Sequence, residues 1–297
     1  MTARLIDGKA ISEAILQETE NEAKELTTKT GVVPGLVVVL VGDNPASQYY
    51  VNNKKKTCLK MGWFSEVHEM PATSTMEQII AEIEKLNADP RVHGILVQSP
   101  LPKGLDEYAI LERINPTKDV DGFHPTNVGR LALGLPTFVA CTPKGVVEMM
   151  IRSGIETKGK RVVIAGRSHI VGTPLALLLS RKAKGGDATV TIVHSRTVDM
   201  PAVCREAEIL IAAMGQAEMI TADYVKPGAV VIDVGINRVE DPTNKKGYRL
   251  TGDVDFKSVS EIASAITPVP GGVGPMTIAM LMSNTLVAAK RAAGVKE

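Results

Sequence analysis

Val162-Val163-Ile164-Ala165-Gly166-Arg167-Ser168-His169-Ile170-Val171-Gly172-Thr173-Pro174 decides how this chain is read. A short β-branched run leads straight into a glycine, and a second glycine and a proline follow. The run reads as a buried parallel strand. Pro174 reads as the opening of a helix, because the N–H that proline lacks is unused in a first turn. Strand, glycine turn and helix in that order form the place where a dinucleotide-binding fold holds its phosphates. The glycines permit the tight turn and a close backbone approach, and the helix N-terminus attracts the pyrophosphate. The stretch is not a full G-x-G-x-x-G, because Ser168 stands where the second glycine would be. On spacing alone, an ordinary glycine-punctuated turn remains open.

The strand that follows sharpens the reading. Thr189 to Val193 ends in His194-Ser195-Arg196-Thr197, with no acid at the position that holds the ribose hydroxyls in an NAD site. Asp187 lies at the wrong end of the strand. A 2′-phosphate would be received by Arg167, Ser195 and Arg196, which points to NADP. Without the preceding motif, the same residues would be a solvated polar loop. A near-match to a Walker A sequence, Gly154 to Arg161, is set aside. It carries Arg161 where the Mg²⁺-binding hydroxyl belongs, and it precedes its strand instead of following one.

Outward from this stretch the signals alternate. Further strands are expected at 209–213 and 230–234, with a helix at 174–182 and another at 143–153 that Gly154 stops. The first half offers an amphipathic helix at 9–29, a buried strand at 36–41 and a helix from Pro45 to about Met61 with Asn44 as N-cap. It continues with a helix at 75–88 capped by Ser74 or Thr75, a strand at 94–98 and a short helix at about 106–114. Such alternation predicts the α/β class, with a doubly wound parallel sheet and right-handed crossovers. The 297 residues suffice for about two domains. The last helix, about 276–293, follows a Gly/Pro-rich hinge and is expected to pack back on the first domain.

Composition narrows the function. Lys plus Arg number 34 and Asp plus Glu 33, so a net charge of +1 argues against electrostatic nucleic-acid or membrane binding. Aromatic residues are only 3%, too few for a base-stacking surface. No apolar run reaches the ~18 residues of a membrane span, and charges occupy the place of a signal peptide's apolar stretch. Cys58, Cys141 and Cys204 are widely spaced and form no CxxC or Cys/His cluster. No metal site and no disulfide framework are expected, and a reduced, cytoplasmic protein is.

Three further places can carry chemistry. Ser47, Tyr50 and Lys54 share one helix face, and a lysine there that points into a cleft would be desolvated and tuned for acid/base work. Lys55 and Lys56 read as a solvated run. Gln98 lies at the carboxyl end of a parallel strand, where open α/β sheets bind ligands. Lys118-Asp119-Val120-Asp121-Gly122 holds two acids without a histidine, which is more often turn chemistry than a metal site.

Taken together, Pro45-Ala46-Ser47 with Tyr50-Val51 and Lys54, Val97-Gln98 with Pro100-Leu101-Pro102, Lys118 to Gly122, Gly166-Arg167-Ser168 with Val171-Gly172 and Pro174, His194-Ser195 with Thr197, Asp233-Val234-Gly235-Ile236-Asn237 and Thr267 to Thr277 (TPVPGGVGPMT) form one ordered series over nearly the whole chain. The series resembles the bifunctional methylenetetrahydrofolate dehydrogenase/methenyltetrahydrofolate cyclohydrolase family. The resemblance implies two α/β domains flanking a cleft: a folate-binding catalytic domain at 1–140 plus 277–297, and a Rossmann domain at 141–276 that binds NADP. It implies oxidation of 5,10-methylenetetrahydrofolate by hydride transfer, then hydrolysis of the methenyl product to 10-formyltetrahydrofolate. Lys54 matches the catalytic lysine, Gln98 its supporting glutamine, Tyr50 the tyrosine that packs on the folate and Asp121 the acid that anchors the pterin. Ser47, Pro270, Gly271 and Gly272 are expected to approach the substrate. Gly166, Arg167, Ser168, Val171, Gly172, His194, Ser195, Arg196, Ile236 and Thr277 are expected to contact the cofactor. A homodimer joined through the cofactor domains is implied as well. One departure is visible: the usual Gln-Leu-Pro-Leu-Pro reads Gln98-Ser99-Pro100-Leu101-Pro102, which alters the pocket beside Gln98 but removes no chemical group. Two other readings stand beside this one. One is another NADP-dependent dehydrogenase of shikimate or amino-acid type, and the other a non-catalytic nucleotide-binding paralogue.

Overall fold

The apolar run at 35–41 forms a strand in which every residue is buried, as a central parallel strand requires. It belongs to a computed structural model that describes residues 2–244 and 247–295. In chain order its elements are β1 (Arg4–Leu5), α1 (Gly8–Thr30), β2 (Gly35–Val41), α2 (Pro45–Lys60), β3 (Phe64–Met70), α3 (Met76–Ala88), β4 (Gly94–Val97), α4 (Glu107–Leu111), α5 (Pro125–Ala132), α6 (Cys141–Arg152), β5 (Arg161–Ala165), α7 (Gly172–Ser180), β6 (Thr189–Val193), α8 (Met200–Cys204), β7 (Ile209–Ala212), β8 (Val230–Asp233), β9 (Asn237–Glu240), β10 (Tyr248–Thr251), α9 (Phe256–Val259), β11 (Ala265–Ile266) and α10 (Val273–Ala292).

The chain divides into two units. One comprises Ala14–Cys141 with the described residues from Met280 onward. Its sheet has the order β3-β2-β4, all parallel, with Val38 opposite both Val67 and Leu96. Val37, Val39 and Ile95 pack against Ile79 and Ile83 of α3. Thr75, not Ser74, caps α3 through a complete capping box: its hydroxyl accepts the Gln78 N–H at 3.3 Å, and its own N–H donates to Gln78 Oε1 at 2.9 Å. Asn44 opens α2 by accepting the Ser47 N–H on Oδ1 at 3.2 Å.

The other unit comprises the described residues up to Glu13 with Thr142–Ala279. Six parallel strands run in the order β1-β11-β8-β7-β5-β6, and β9 and β10 form a separate antiparallel pair. Val163, Ala165, Leu210, Val231 and Ile266 supply its core.

The expected domain boundaries shift. Residues 2–13, expected with the folate-binding domain, join the second unit, because Arg4 and Leu5 pair in parallel with Ala265 and Ile266. The later boundaries fall after Cys141 and Ala279 instead of 140 and 276. Five strands lie outside the expected set: β3, the β9–β10 pair and the two-residue β1 and β11. Helix α4 ends at Leu111, short of the expected 114, and α7 begins at Gly172, two residues early.

Candidate active site

The unit built on β2 brings Lys54, Gln98 and Asp121 together. Along α2, Ser47 is buried, Tyr50 is exposed with its ring edge-on to Tyr49, and Lys54 is half-buried. Strand β4 ends at Val97, so Gln98 emerges at its carboxyl end. Lys54 Nζ donates to Gln98 Oε1 at 3.0 Å. The Gln98 amide in turn donates to the Ser99 carbonyl at 2.6 Å, which fixes the amide so that its oxygen faces the lysine. Ser99, the departure from the usual leucine, is exposed and its hydroxyl donates to Glu107. It therefore leaves the Lys54–Gln98 contact intact.

Asp121 is positioned by a turn that Asp119 and Lys118 hold. The buried Asp119 carboxylate accepts the N–H groups of Gly122 (3.2 Å), Phe123 (3.2 Å) and His124 (2.8 Å) and the Asn127 amide (2.7 Å). Lys118 Nζ donates to the carbonyls of Leu86, Asn87 and Asp89 at the end of α3. Asp119 is thus a turn residue; among the described residues no cluster of three or more His, Cys, Asp or Glu side chains is placed to hold a metal ion.

Burial pulls Lys54 below the ordinary lysine range, and the charges of Asp121 and, after it, Cys141 oppose that shift. Burial pushes Asp121 upward. Lys54 opposes this shift, Asp119 adds to it, and a hydrogen bond from Cys141 also works against it. A lysine tuned downward beside a carboxylate can accept a proton nearer neutrality.

Two residues here escape sequence reading. Cys141 lies at the start of α6, and Asn284 is buried in α10 between Ser283 and Thr285. The Asn284 amide donates to the carbonyls of Val120 (2.8 Å) and Val139 (3.1 Å). It thereby ties the residues just before Asp121 and Cys141 to the helix. The one amide residue of α10 was the only signal for it.

The other unit carries the expected cofactor residues. Strand β5 delivers Gly166 at φ 130°, where a side chain would overlap the Ala213 carbonyl oxygen. A side chain on Gly172 would overlap the Gly166 carbonyl. Ser168 is compatible with the missing second glycine: its hydroxyl accepts the Val171 N–H at 3.2 Å, and its carbonyl accepts the Thr173 N–H at 3.0 Å. Arg167 and Ser168 are exposed, and α7 begins directly behind them. After β6, the His194 N–H donates to Thr197 Oγ1 at 2.9 Å and the Arg196 N–H to His194 Nδ1 at 3.2 Å. This turn leaves Ser195 and Arg196 exposed. Ile236 follows β8 and is exposed, and the Thr277 hydroxyl lies 2.9 Å from that of Thr142. A backbone cradle that only glycine fits, at a helix N-terminus, with two exposed arginines, suits a phosphorylated dinucleotide. Pro270, Gly271 and Gly272 fold onto the first turn of α1, where the Lys9 N–H donates to the Gly271 carbonyl at 2.9 Å.

A parallel sheet with this cradle, joined in one chain to a second α/β unit that holds a tuned lysine, defines a two-domain nucleotide-dependent α/β enzyme. Comparison with known proteins gives the family. Residues 140–293 match the tetrahydrofolate dehydrogenase/cyclohydrolase NAD(P)-binding domain, and residues 6–121 match the catalytic domain of the same name. The chain belongs to the tetrahydrofolate dehydrogenase/cyclohydrolase family. It is 57% identical to the bifunctional protein FolD of Prosthecochloris aestuarii over 95% of this chain and 96% of that one. The crystal structure of the bifunctional FolD enzyme from Campylobacter jejuni superposes with a TM-score of 0.91 at 47% identity, covering 97% and 99% of the two chains. The Trypanosoma brucei enzyme, solved with NADP cofactor and an inhibitor, gives 0.92 at 42% identity over 98% of each.

Proposed function

We propose that this protein oxidises 5,10-methylenetetrahydrofolate with NADP and hydrolyses the resulting methenyltetrahydrofolate to 10-formyltetrahydrofolate. The observation that carries the reading is the half-buried Lys54, depressed by burial and hydrogen-bonded to Gln98 beside Asp121. Domain roles follow from the same residues: Ala14–Cys141 with the chain from Met280 binds folate, and Thr142–Ala279 with residues 2–13 binds NADP.

NADP, when bound, supplies the hydride acceptor. Arg167, Ser195 and Arg196 would hold its 2′-phosphate, and no acid occupies 194–197, where an NAD site holds the ribose hydroxyls. Asp121 accepts hydrogen bonds from the pterin's N–H edge, and Tyr50 covers the folate. Ser47, Pro270, Gly271 and Gly272 complete the substrate contacts. The hydride leaves the substrate carbon as a delocalised cation, which a neutral Lys54 does not repel. In the hydrolysis, water adds to that carbon and Lys54 takes the proton that the water loses. The C–N5 bond of the adduct then breaks, N5 takes up a proton as the hydroxyl gives one up, and the formyl group stays on N10. Gln98 keeps the amine aimed at the reaction. No metal is needed for either step.

A homodimer joined through the cofactor unit fits β6, which is an edge strand of the six-stranded sheet and exposes Ile192, with Val198 90% exposed just beyond it. A reduced, cytoplasmic setting fits three buried cysteines, none of them in a disulfide. No described helix is long and apolar enough to cross a membrane.

The test is paired: NADPH formation from methylenetetrahydrofolate, and decay of added methenyltetrahydrofolate above the buffer rate. Lys54→Met keeps an unbranched stem and removes the amine. It is expected to lower the cyclohydrolase by about 10²–10⁴-fold, the usual share of general acid/base catalysis, and the dehydrogenase by less. Methenyltetrahydrofolate then accumulates during turnover. Hydrolysis at the unmodified rate by folded Lys54→Met protein would remove the lysine from the mechanism.

A further inference from the structure

Met214, Gly215 and Gln216 follow the carboxyl end of β7, and Gly235, Ile236 and Asn237 follow that of β8. Both segments converge on one side chain, Asp253, which is completely buried just after β10. Its Oδ2 accepts the N–H groups of Met214 (2.6 Å) and Gly215 (2.8 Å). Its Oδ1 accepts the Gln216 N–H (2.9 Å) and the Asn237 side-chain amide (2.8 Å). The backbone around Asp253 is itself held: its N–H and that of Val254 donate to the Asp233 carboxylate, each at 2.9 Å, and Asp233 also accepts the Gly235 N–H at 2.9 Å. The space is fully taken, since a side chain on Gly235 would overlap the Asp253 carboxylate and one on Gly252 would overlap that of Asp233.

Four donors, none of them a charged side chain, therefore converge on one buried carboxylate. Burying a carboxylate is costly unless hydrogen bonds replace its water, so the four donors are held to Asp253 by that requirement. What Asp253 fixes lies at the ligand-binding edge of the sheet. In a doubly wound sheet the ligand lies beyond the carboxyl ends of the strands. Gly166 at the end of β5 rests against the Ala213 carbonyl, the residue just before the clamped segment. The strand order β8-β7-β5-β6 fixes the direction. With the adenosine 2′-phosphate received after β6, the rest of the dinucleotide passes β5 and runs over β7 and β8, toward the nicotinamide.

We infer that Asp253 is a positioning residue that shapes the 214–216 and 235–237 segments into the seat of the nicotinamide half of the cofactor. The inference rests on the reading of this unit as an NADP site and goes beyond it by dividing that site. The Ser195–Arg196 end binds the phosphoadenosine half independently of Asp253. Asp253 touches no cofactor atom in this scheme and acts through the backbone it holds.

Asp253→Asn keeps the shape but offers one acceptor oxygen where four donors converge. The experiment measures dissociation constants by calorimetry for NADP and for 2′,5′-ADP, which carries the phosphoadenosine end alone. The variant is expected to bind NADP at least about tenfold more weakly, the lower range for lost hydrogen bonds to a charged group, while 2′,5′-ADP stays within about twofold. In turnover with methylenetetrahydrofolate its KM for NADP rises and kcat falls as well, because the nicotinamide is misplaced. Equal weakening of both ligands would make Asp253 a fold anchor only and overturn the inference, as would unchanged NADP binding. If Asp253→Asn does not fold, Asn237→Ala decides by the same ratio. It removes one donor only, and a selective loss for NADP of about two- to fivefold is expected, in line with one hydrogen bond. Failure of the unmodified protein to bind 2′,5′-ADP would refute the underlying NADP reading and not the division of the site.

Discussion

Lys54 sits between opposing influences, and their signs make its role measurable. Burial favours the neutral amine and lowers its pKa, whereas the charge of Asp121 favours the ammonium and raises it. A lysine that works as a base is active when neutral, so cyclohydrolase kcat/KM climbs as pH rises through its pKa in the free enzyme. Asp121→Asn removes the charge that supports the ammonium. The rising limb is expected to move to lower pH by about one unit or more, the range for a close opposite charge, while KM for the folate increases. A pH titration of hydrolysis from 6 to 10 reads this directly. A limb that stays in place would mean that another group titrates there. At this scale the helix face singled out Lys54 and the strand end singled out Gln98, whereas Asp121 read as turn chemistry and took a site role only from the family resemblance. Cys141 and Asn284 were illegible, because their partners Asp121, Val120 and Val139 lie far away in the chain.

Elements with their own local chemistry were the easiest to read. Helix α3 carries its start signal in Thr75 and Gln78, three residues apart, and the capping box forms as the spacing requires. Thr75→Ala is expected to cost about 1 kcal/mol, with a ceiling near 2, seen as a lower urea midpoint at unchanged slope. A midpoint within error of the unmodified protein would show that tertiary packing alone fixes the helix start. Strand β3 is the contrary case. Phe64-Ser65-Glu66-Val67-His68-Glu69-Met70 holds two glutamates and a histidine, poor strand formers, and none of its residues is fully buried. It is a strand because seven residues pair in register with the apolar β2. On the same strand His68 binds Glu66 and Glu82, at 3.1 and 2.6 Å, and so ties β3 to α3. The two-residue strands β1 and β11 are likewise made by their partners, since a pair of residues has no period to read.

At the scale of the whole molecule, the exposed edge of β6 bears on assembly. A dimer through the cofactor unit has twice the 31.7 kDa chain mass, and Ile192→Lys, which puts a charge on an exposed edge, is expected to shift light-scattering mass toward one chain. A dimer mass unchanged by that substitution would place the interface elsewhere. The α/β class, the strand–glycine–helix order around Gly166, the glycine cradle and the lack of an acid at 194–197 were all determined by the sequence itself. Each is a local matter of period, cap or backbone freedom, settled within a few residues. Only the tertiary structure decided that residues 2–13 join the unit that begins at Thr142, that Asn284 supports the turn bearing Asp121, and that Asp253 gathers two loops. Those facts are pairings between distant segments: a strand edge needs a partner, and a buried amide or carboxylate needs donors or acceptors. Which segment supplies them is fixed by chain topology, which no local pattern encodes.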